Sequence, residues 1–274
     1  MEKFQIIEPS TLLAPYVKQY WFLAIDDAQQ SSQRSIPAGC ACLAFHRGER
    51  IYSSLHNGIQ PIAYLSVPSM MYTDVHYRNI DVLMIIFQPI GCKTFFGIPM
   101  NELRGQNIAI ELLNDPQVTE LENRLIDAVD NYQCVQWIEQ FLLKRIYQFD
   151  SYNFNRLDAV IKAVNSGETE IPLLAETACL GYKQFKRVFM DYTGLKPKEF
   201  LLMARFRRTL HALQTQSWTS LNALAYDCGY YDKSHLIKEF KTFAGYNPRE
   251  YLSICDPYSD YLSLFNSFFI NGRE

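Results

Sequence analysis

The feature that most constrains this chain is an internal repeat in its last third. Phe185, Phe189, Tyr192, Gly194, Pro197, Glu199 and Phe200 recur, each 51 residues later, as Leu236, Phe240, Phe243, Gly245, Pro248, Glu250 and Tyr251. Chemically matched pairs in a single register specify one supersecondary unit used twice. In each copy, apolar residues at i, i+4 and i+7 make one helical stripe. A glycine then closes the helix, and a proline three residues on can open the next.

Each copy also carries a shorter helix ahead of that stripe. In the second copy, Thr219 or Ser220 caps a helix with Leu221, Leu224 and Ala225 facing inward. Gly229 can end it in the left-handed conformation, Tyr230 and Tyr231 make the turn, and Asp232 caps the following helix. In the first copy, Pro172 sits in the first turn, Leu173, Leu174 and Ala178 are expected inward, and Gly181 is expected at the turn or cap. Helix, tight turn, helix holds the second helix out from the body, where its leading turns can enter a major groove. The residues off the buried stripe are Tyr182, Lys183, Lys186 and Arg187 in the first copy, and Lys233, Ser234, Ile237 and Lys238 in the second. They supply donors for phosphates and base edges, with one apolar side chain for a thymine methyl.

Residues 197–213 join the copies and suit one continuous helix of about 25 Å. Two reading helices at that separation would enter the major groove roughly one turn, or about 34 Å, apart. Arg205, Arg207 and Arg208 either touch the DNA backbone or solvate this connector, and Lys241 is a further candidate backbone contact.

The charge distribution agrees with a nucleic-acid partner although the total does not. The net charge is −3, but residues 1–155 carry −5, residues 156–251 carry +4 and residues 252–274 carry −2. A basic block between acidic flanks suits a segment that meets phosphate, and a solvated surface gives the same imbalance. A length of 274 residues suits two domains, and 48% apolar residues suffice for real cores. No apolar run approaches the roughly 20 residues of a membrane span, and the N-terminus lacks a basic segment followed by an apolar stretch. Seven scattered cysteines without CxxC read as reduced thiols. The expected location is the cytoplasm.

The fold class expected is α+β in two domains, a β-rich N-terminal domain with following helices and an all-α C-terminal domain with two helix-turn-helix units. Residues 40–46, 62–67 and 82–88 are short β-type runs bounded by Gly and Pro. Asp115-Pro116 opens a helix with Leu121, Leu125 and Val129 on one stripe, and a second helix is predicted over 132–149. The segment 150–155 reads as the linker. The domain limits expected are therefore 1–150, 156–251 and an extension over 252–274. In that extension Leu262, Phe265, Phe268 and Phe269 suggest a packed helix, or contact with the N-terminal domain or a partner.

Chemistry in the N-terminal half has little support in the residues. His46, His56 and His76 are scattered with no H-x-H, so no metal ligand set is assigned. Cys40 and Cys42 would share a strand face as core, with a redox or metal sensor as the alternative. There is no GxSxG and no phosphate-cradling glycine loop, so no catalytic residue and no cofactor is assigned and the chain is not read as an enzyme. Tyr16, Tyr20, Trp21, Phe22, Tyr64 and Phe87 either line an apolar pocket or fill the core. The expected partners are double-stranded DNA, a candidate small-molecule effector in the N-terminal domain and a candidate second copy in a homodimer. A cupin-type metal enzyme or a protein-interaction module fused to a DNA-binding domain are the alternatives.

The second copy, from Ala225 through Cys228-Gly229-Tyr230-Tyr231-Asp232-Lys233-Ser234-His235-Leu236-Ile237-Lys238-Glu239-Phe240-Lys241 to Gly245, Pro248 and Tyr251, resembles the signature of AraC/XylS-type regulators. Phe185-Lys186-Arg187, Phe189, Gly194, Pro197, Phe200 and Arg205 fit the same family, and the resemblance covers about residues 156–251. It implies two recognition helices facing adjacent major-groove segments, with the outward residues named above in contact with DNA. Two residues depart from the family pattern. Tyr230 stands where a Phe is usual, and Thr209 where the connector usually has Ala. More loosely, Pro15-Tyr16-Val17, Ile36-Pro37-Ala38-Gly39 and Phe87-Gln88-Pro89 resemble landmarks of the cupin-like domains that precede such readers, which sense a small molecule or mediate dimerisation.

Overall fold

A computed structural model of the chain describes residues 2–26, 31–146, 151–215 and 218–254. Its N-terminal part holds two antiparallel sheets. The strands are β1 (Glu2–Ile7), β2 (Val17–Ile25), β3 (Ser31–Ser35), β4 (Cys42–His46) and β5 (Tyr52–Ser53), then β6 (Gly58–Ile59), β7 (Ala63–Ser66), β8 (Thr73–Tyr77), β9 (Ile80–Phe87) and β10 (Asn107–Ala109). One sheet runs β1-β2-β9-β4-β7-β10 and the other β3-β8-β5-β6.

The apolar run of β9 has no alternation because both faces of the larger sheet are covered. Period two sorts its side chains. Leu83, Ile85 and Phe87, with Tyr20, Phe22, Leu43 and Phe45 of the paired strands, face one core with the helices that follow. Val82 and Ile86, with Trp21 and Leu23, face the other side. There the two sheets enclose a cavity of about 250 Å³. Of the aromatic residues expected at a pocket, Trp21 and Tyr64 line it. Tyr20, Phe22 and Phe87 belong to the opposite face, and Tyr16 packs edge-on against Phe95 and at a tilt against Phe154. Cys40 and Cys42 both line the cavity, although Cys40 precedes the strand.

Three helices complete this half: α1 (Gly91–Phe96), α2 (Pro116–Ile126) and α3 (Asn131–Ile146). Asp115 caps α2 by accepting from the Gln117 amide at 3.1 Å, as its position beside Pro116 implies. Two expectations here fail. Val129 does not continue the α2 stripe but lies beyond the helix, 83% exposed, because α2 stops at Ile126. Residues 151–155 are not a linker: they form the first turn of α4 (Ser151–Asn165), where Phe154 and Leu157 are buried at helical spacing. The end of the helix predicted over 132–149 and the aromatic residues expected in the extension fall outside the described residues.

The remaining helices are α5 (Ile171–Thr177), α6 (Tyr182–Thr193), α7 (Pro197–Thr215), α8 (Leu221–Asp227), α9 (Lys233–Ala244) and α10 (Pro248–Ile254). Phe185, Phe189, Tyr192, Leu236, Phe240 and Phe243 fill one core with α4 and α7, as the doubled stripe requires. Leu173 is a correction: it is exposed, and Leu174, Ala175 and Ala178 make the inward face of α5. No described helix is long and apolar enough to cross a membrane.

Candidate nucleic-acid interface

Each of α6 and α9 is presented by the shorter helix before it. In the second copy, Ser220 rather than Thr219 caps α8, accepting from the Ala223 amide at 3.1 Å. Gly229 then takes φ +78°, as expected of the turn. Asp232 accepts from the His235 amide at 2.7 Å and starts α9. Tyr231 is 84% exposed, but Tyr230 is core rather than loop, at 3% exposure.

In the first copy the left-handed position belongs to Cys179, at φ +52°. Gly181 instead holds the N-cap of α6 in extended geometry, without a side chain to cap it. The first turn is therefore one residue shorter. Cys179 matches Gly229, and buried Leu180 matches buried Tyr230, 50 residues apart rather than 51. Both longer helices end alike, at Gly194 and Gly245, each with φ +75°.

The expected readers lie on the free sides of these helices. Tyr182, Lys183, Lys186 and Arg187 are exposed along the leading turns of α6, opposite Phe185 and Phe189. Lys233, Ser234 and Lys238 are exposed on α9, and Lys241 is exposed in its last turn. Among the described residues, no carboxylate pairs with Lys183, Lys186, Arg187, Lys233, Lys238 or Lys241. Ile237 is half-buried against the core, so only part of its side chain faces outward. The two helices hang on α7, whose 19 residues span about 28 Å at the helical rise.

Residues 174–254, which hold both units, match the family described as a helix-turn-helix domain. The C-terminal region is an AraC-type helix-turn-helix domain. Residues 5–109 match a different family, a domain of unknown function, DUF6597. The chain is 24% identical over 262 residues to the HTH-type transcriptional regulator YidL of Escherichia coli K12, covering 93% of this chain and 82% of that one. It is 27% identical over 238 residues to the HTH-type transcriptional regulator ArgR of Pseudomonas aeruginosa, covering 84% and 71%. An HTH-type transcriptional regulator of Haemophilus influenzae is 27% identical over 133 residues, and that match spans only 44% of its length. Among solved structures, ToxT of Vibrio cholerae O395 superposes with 13% identity over 86% of this chain and 96% of that one, at a TM-score of 0.45.

The connector arginines of this AraC-type domain divide by burial. Arg205 makes a two-pronged ion pair with Glu239 of α9, donates to the Gly229 carbonyl at 3.4 Å and stacks 4.5 Å from the centre of the Tyr230 ring. It ties α7, the turn and α9 together, and its charge is neutralised there. Arg207 is buried at 4% exposure, and Arg208 is half-buried with its Nε on the Ala204 carbonyl at 3.4 Å. Burial also pulls the Arg208 guanidinium below its ordinary pKa.

The two departures from the family pattern turn out to be partners. Thr209 Oγ1 and the Tyr230 hydroxyl share a buried 3.2 Å hydrogen bond. Burial pushes the Tyr230 phenol up, so it stays protonated and keeps that bond. A hydroxyl added at each of two positions 21 residues apart was the available sequence signal for this contact. Glu239 was missed altogether, since a lone carboxylate on a basic face does not reveal that it reaches back to α7.

The histidines of the N-terminal domain serve its local structure. His46 Nδ1 lies 3.0 Å from the Pro61 carbonyl, and desolvation holds the ring below the usual histidine pKa. His56 bridges Ser53 Oγ at 3.1 Å and the Gly105 carbonyl at 3.2 Å, while the His76 ring lies tilted beside Tyr52. Among the described residues, no three His, Cys, Asp or Glu side chains gather as a metal site.

Proposed function

We propose that this protein is a sequence-specific DNA-binding transcription regulator that reads two adjacent major-groove segments of one duplex face. One observation carries the reading: two glycine-closed recognition helices, α6 and α9, hang on a single rigid connector with uncompensated cations along their leading turns. On this reading Tyr182, Lys183, Lys186, Arg187, Lys233, Ser234, Ile237 and Lys238 contact bases and phosphates, with Lys241 on the backbone. Arg205 and Arg208 act through the shape of the domain instead, since both are engaged within it. The names of YidL and ArgR, transcriptional regulators both, support the same role.

The proposal extends to a small-molecule effector held by the N-terminal domain, supported by the 250 Å³ cavity between its sheets. It places the protein in the cytoplasm with its DNA and includes pairing of two copies, which sedimentation checks.

The test is selection of duplexes from a random pool by the full chain. The expected product is a motif of two blocks about one helical turn apart. Inserting roughly half a turn, about 5 base pairs, between the blocks should cost at least tenfold in affinity by moving them to opposite faces. Enrichment of no motif, or a motif indifferent to that insertion, defeats the reading.

A further inference from the structure

The N-terminal domain touches the DNA-binding domain at the same place in both repeats. A Cβ on Gly194 would lie 3.1 Å from Val67 Cγ1 and 3.3 Å from the Met100 carbonyl oxygen. A Cβ on Gly245, the repeat-mate of Gly194, would run into the Arg34 guanidinium and lie 2.8 Å from the Tyr72 ring. These glycines cap the C-terminal ends of α6 and α9, and their amides close the last turns onto Met190 and Lys241 at 2.9 Å. Two ion pairs brace the first contact: Lys93 to Asp191 at 2.5 Å and Arg104 to Glu199 at 3.0 Å.

The contacting side chains are also cavity walls. Val67 and Arg34 both line the space between the sheets, as does Ile36 between them in position. Ile36 is 3% exposed and packs into the same continuous core as α4 through α10. Arg34 is held on three sides, by a two-pronged ion pair to Asp74 at 2.7 and 2.9 Å and by the rings of Tyr72 and Tyr246, 4.1 and 4.4 Å from its carbon. Tyr246 directly follows the Gly245 corner. A side chain clamped this way cannot move without moving what it clamps.

The chemistry of the cavity defines what enters it. Trp21, Leu23, Ile51, Met84 and Ile86 give it apolar walls. Of its polar lining, Gln60 bonds to Asn107, His56 uses both ring nitrogens, and the Arg34 charge is cancelled by Asp74. An ionised ligand would lose its hydration and gain no opposite charge. An apolar cavity of about 150 Å³ takes benzene, so this one has room for roughly ten non-hydrogen atoms.

We propose that this cavity binds an uncharged, mainly apolar small molecule, and that its occupancy is transmitted to both recognition helices at their glycine corners, through Val67 to Gly194 and through Arg34 to Gly245. The transmission to DNA rests on the proposed function above; the binding and the movement of the corners do not. A ligand that wedges the sheets apart shifts both corners at once, so the setting of the two helices changes together. Such a ligand alters DNA affinity only by its preference for one setting over the other.

The experiment uses the full chain without DNA. Indole and naphthalene are the neutral probes, and indole-3-carboxylate is the charged counterpart. Calorimetry should give saturable one-site binding of a neutral probe, with the carboxylate at least tenfold weaker. Hydrogen exchange of the segments around Gly194 and Gly245 should change at least threefold on saturation. Tyr246→Ala lies outside the cavity lining; it should keep probe binding within about twofold and lose the exchange change at Gly245 while keeping that at Gly194. Absence of binding by either neutral probe at millimolar concentration overturns the ligand class. Preferred binding of the carboxylate does the same. Binding without any exchange change at the corners overturns the coupling, as does an unaltered Gly245 response in Tyr246→Ala. Corner coupling that persists in a chain unable to bind any selected duplex faults the DNA reading and leaves this inference standing.

Discussion

The two helix-turn-helix copies share a backbone plan and differ in what holds it. The second copy stabilises itself from within: Gly229 takes the left-handed turn, Asp232 caps α9, and Arg205 bolts Glu239 to the connector. The first has Cys179 in the left-handed position and Gly181 as an uncapped N-cap. Both copies touch the N-terminal domain, but the first is tied to it by two ion pairs, Lys93 to Asp191 and Arg104 to Glu199, while the second meets it through the rings around Arg34. Their free faces differ in the opposite sense. The first offers Lys183, Lys186 and Arg187 together, while the second spreads Lys233, Ser234 and Lys238 beside a half-buried Ile237. The copy with the weaker local turn thus carries the denser phosphate-binding face. One helix-turn-helix geometry is held by two different means of support.

The sharpest way to break this comparison is to remove the cations in pairs. Lys186→Ala with Arg187→Ala should weaken binding to a selected duplex roughly 100-fold, and Lys233→Ala with Lys238→Ala roughly tenfold. The larger figure corresponds to about 2.7 kcal/mol. Arg187 can make a two-pronged base contact that no residue of the second face supplies. Each pair should flatten the salt dependence by up to roughly 2 in slope, one phosphate per lost cation. Anisotropy titrations across a salt series give both numbers, and equal losses from the two pairs would erase the distinction between the faces.

The next largest effect concerns the bolt. Arg205→Met should cost about 2 kcal/mol in denaturant unfolding, because it takes the guanidinium partner from Glu239, whose side chain is only 10% exposed. The first copy handles the same site without charge: Val188, 51 residues before Glu239, is buried and apolar. Arg205→Met combined with Glu239→Leu should therefore recover most of the loss. Recovery of none of it would mean that the ion pair is not interchangeable with apolar packing, and that the copies differ more deeply than their support.

What could be read from the sequence follows the same division. Period and repetition reveal anything set by burial, so the doubled stripe, the glycine closures, the connector helix and the continuous run of β9 were all legible. Features set by a single long-range partner were not. Glu239 reads as a surface carboxylate until α7 is folded against it, and Tyr230 reads as a turn residue until Thr209 meets its hydroxyl. The 150–155 segment reads as a linker because five of its six residues are polar or aromatic-polar, yet Phe154 alone, in step with Leu157, decides for helix. Gly181 reads as either turn or cap, and the structure makes it the N-cap of α6. A cysteine at φ +52° gives no local warning, and only the one-residue offset between the copies reveals it. At the candidate interface the cations were legible as a set, while the engagement of Arg205 within the domain was not.

Exchanging the turn residues sharpens the comparison at a smaller scale. Gly229→Ala should destabilise the chain by about 1 kcal/mol, since nothing lies within 4 Å of the added Cβ and the cost is purely that of the left-handed backbone. Cys179→Gly removes the same strain and should stabilise by up to about 1 kcal/mol, less what the glycine loses in chain entropy. Thermal unfolding of the two variants should move in opposite directions. A shift of the same sign in both would remove Cys179 as the weak point of the first copy.

The smallest expected difference lies at the caps. Gly181 holds extended backbone at φ −64° and ψ 149°, and its Cβ position is open, so Gly181→Ser can add the missing acceptor without strain. Glycine is itself a tolerable N-cap, so the gain should be only a few tenths of a kcal/mol, matched by a similar loss from Asp232→Gly. Serine is the better choice than aspartate here. A carboxylate at position 181 would stand beside Lys183 on the face proposed to meet phosphate, and would repel there what it stabilises in the helix. Asp232 occupies the corresponding place in the second copy, where its carboxylate accepts from the His235 amide. If duplex affinity rises in Asp232→Ser while stability holds, that capping charge opposes DNA, and part of the weaker binding expected of the second face originates at its first residue.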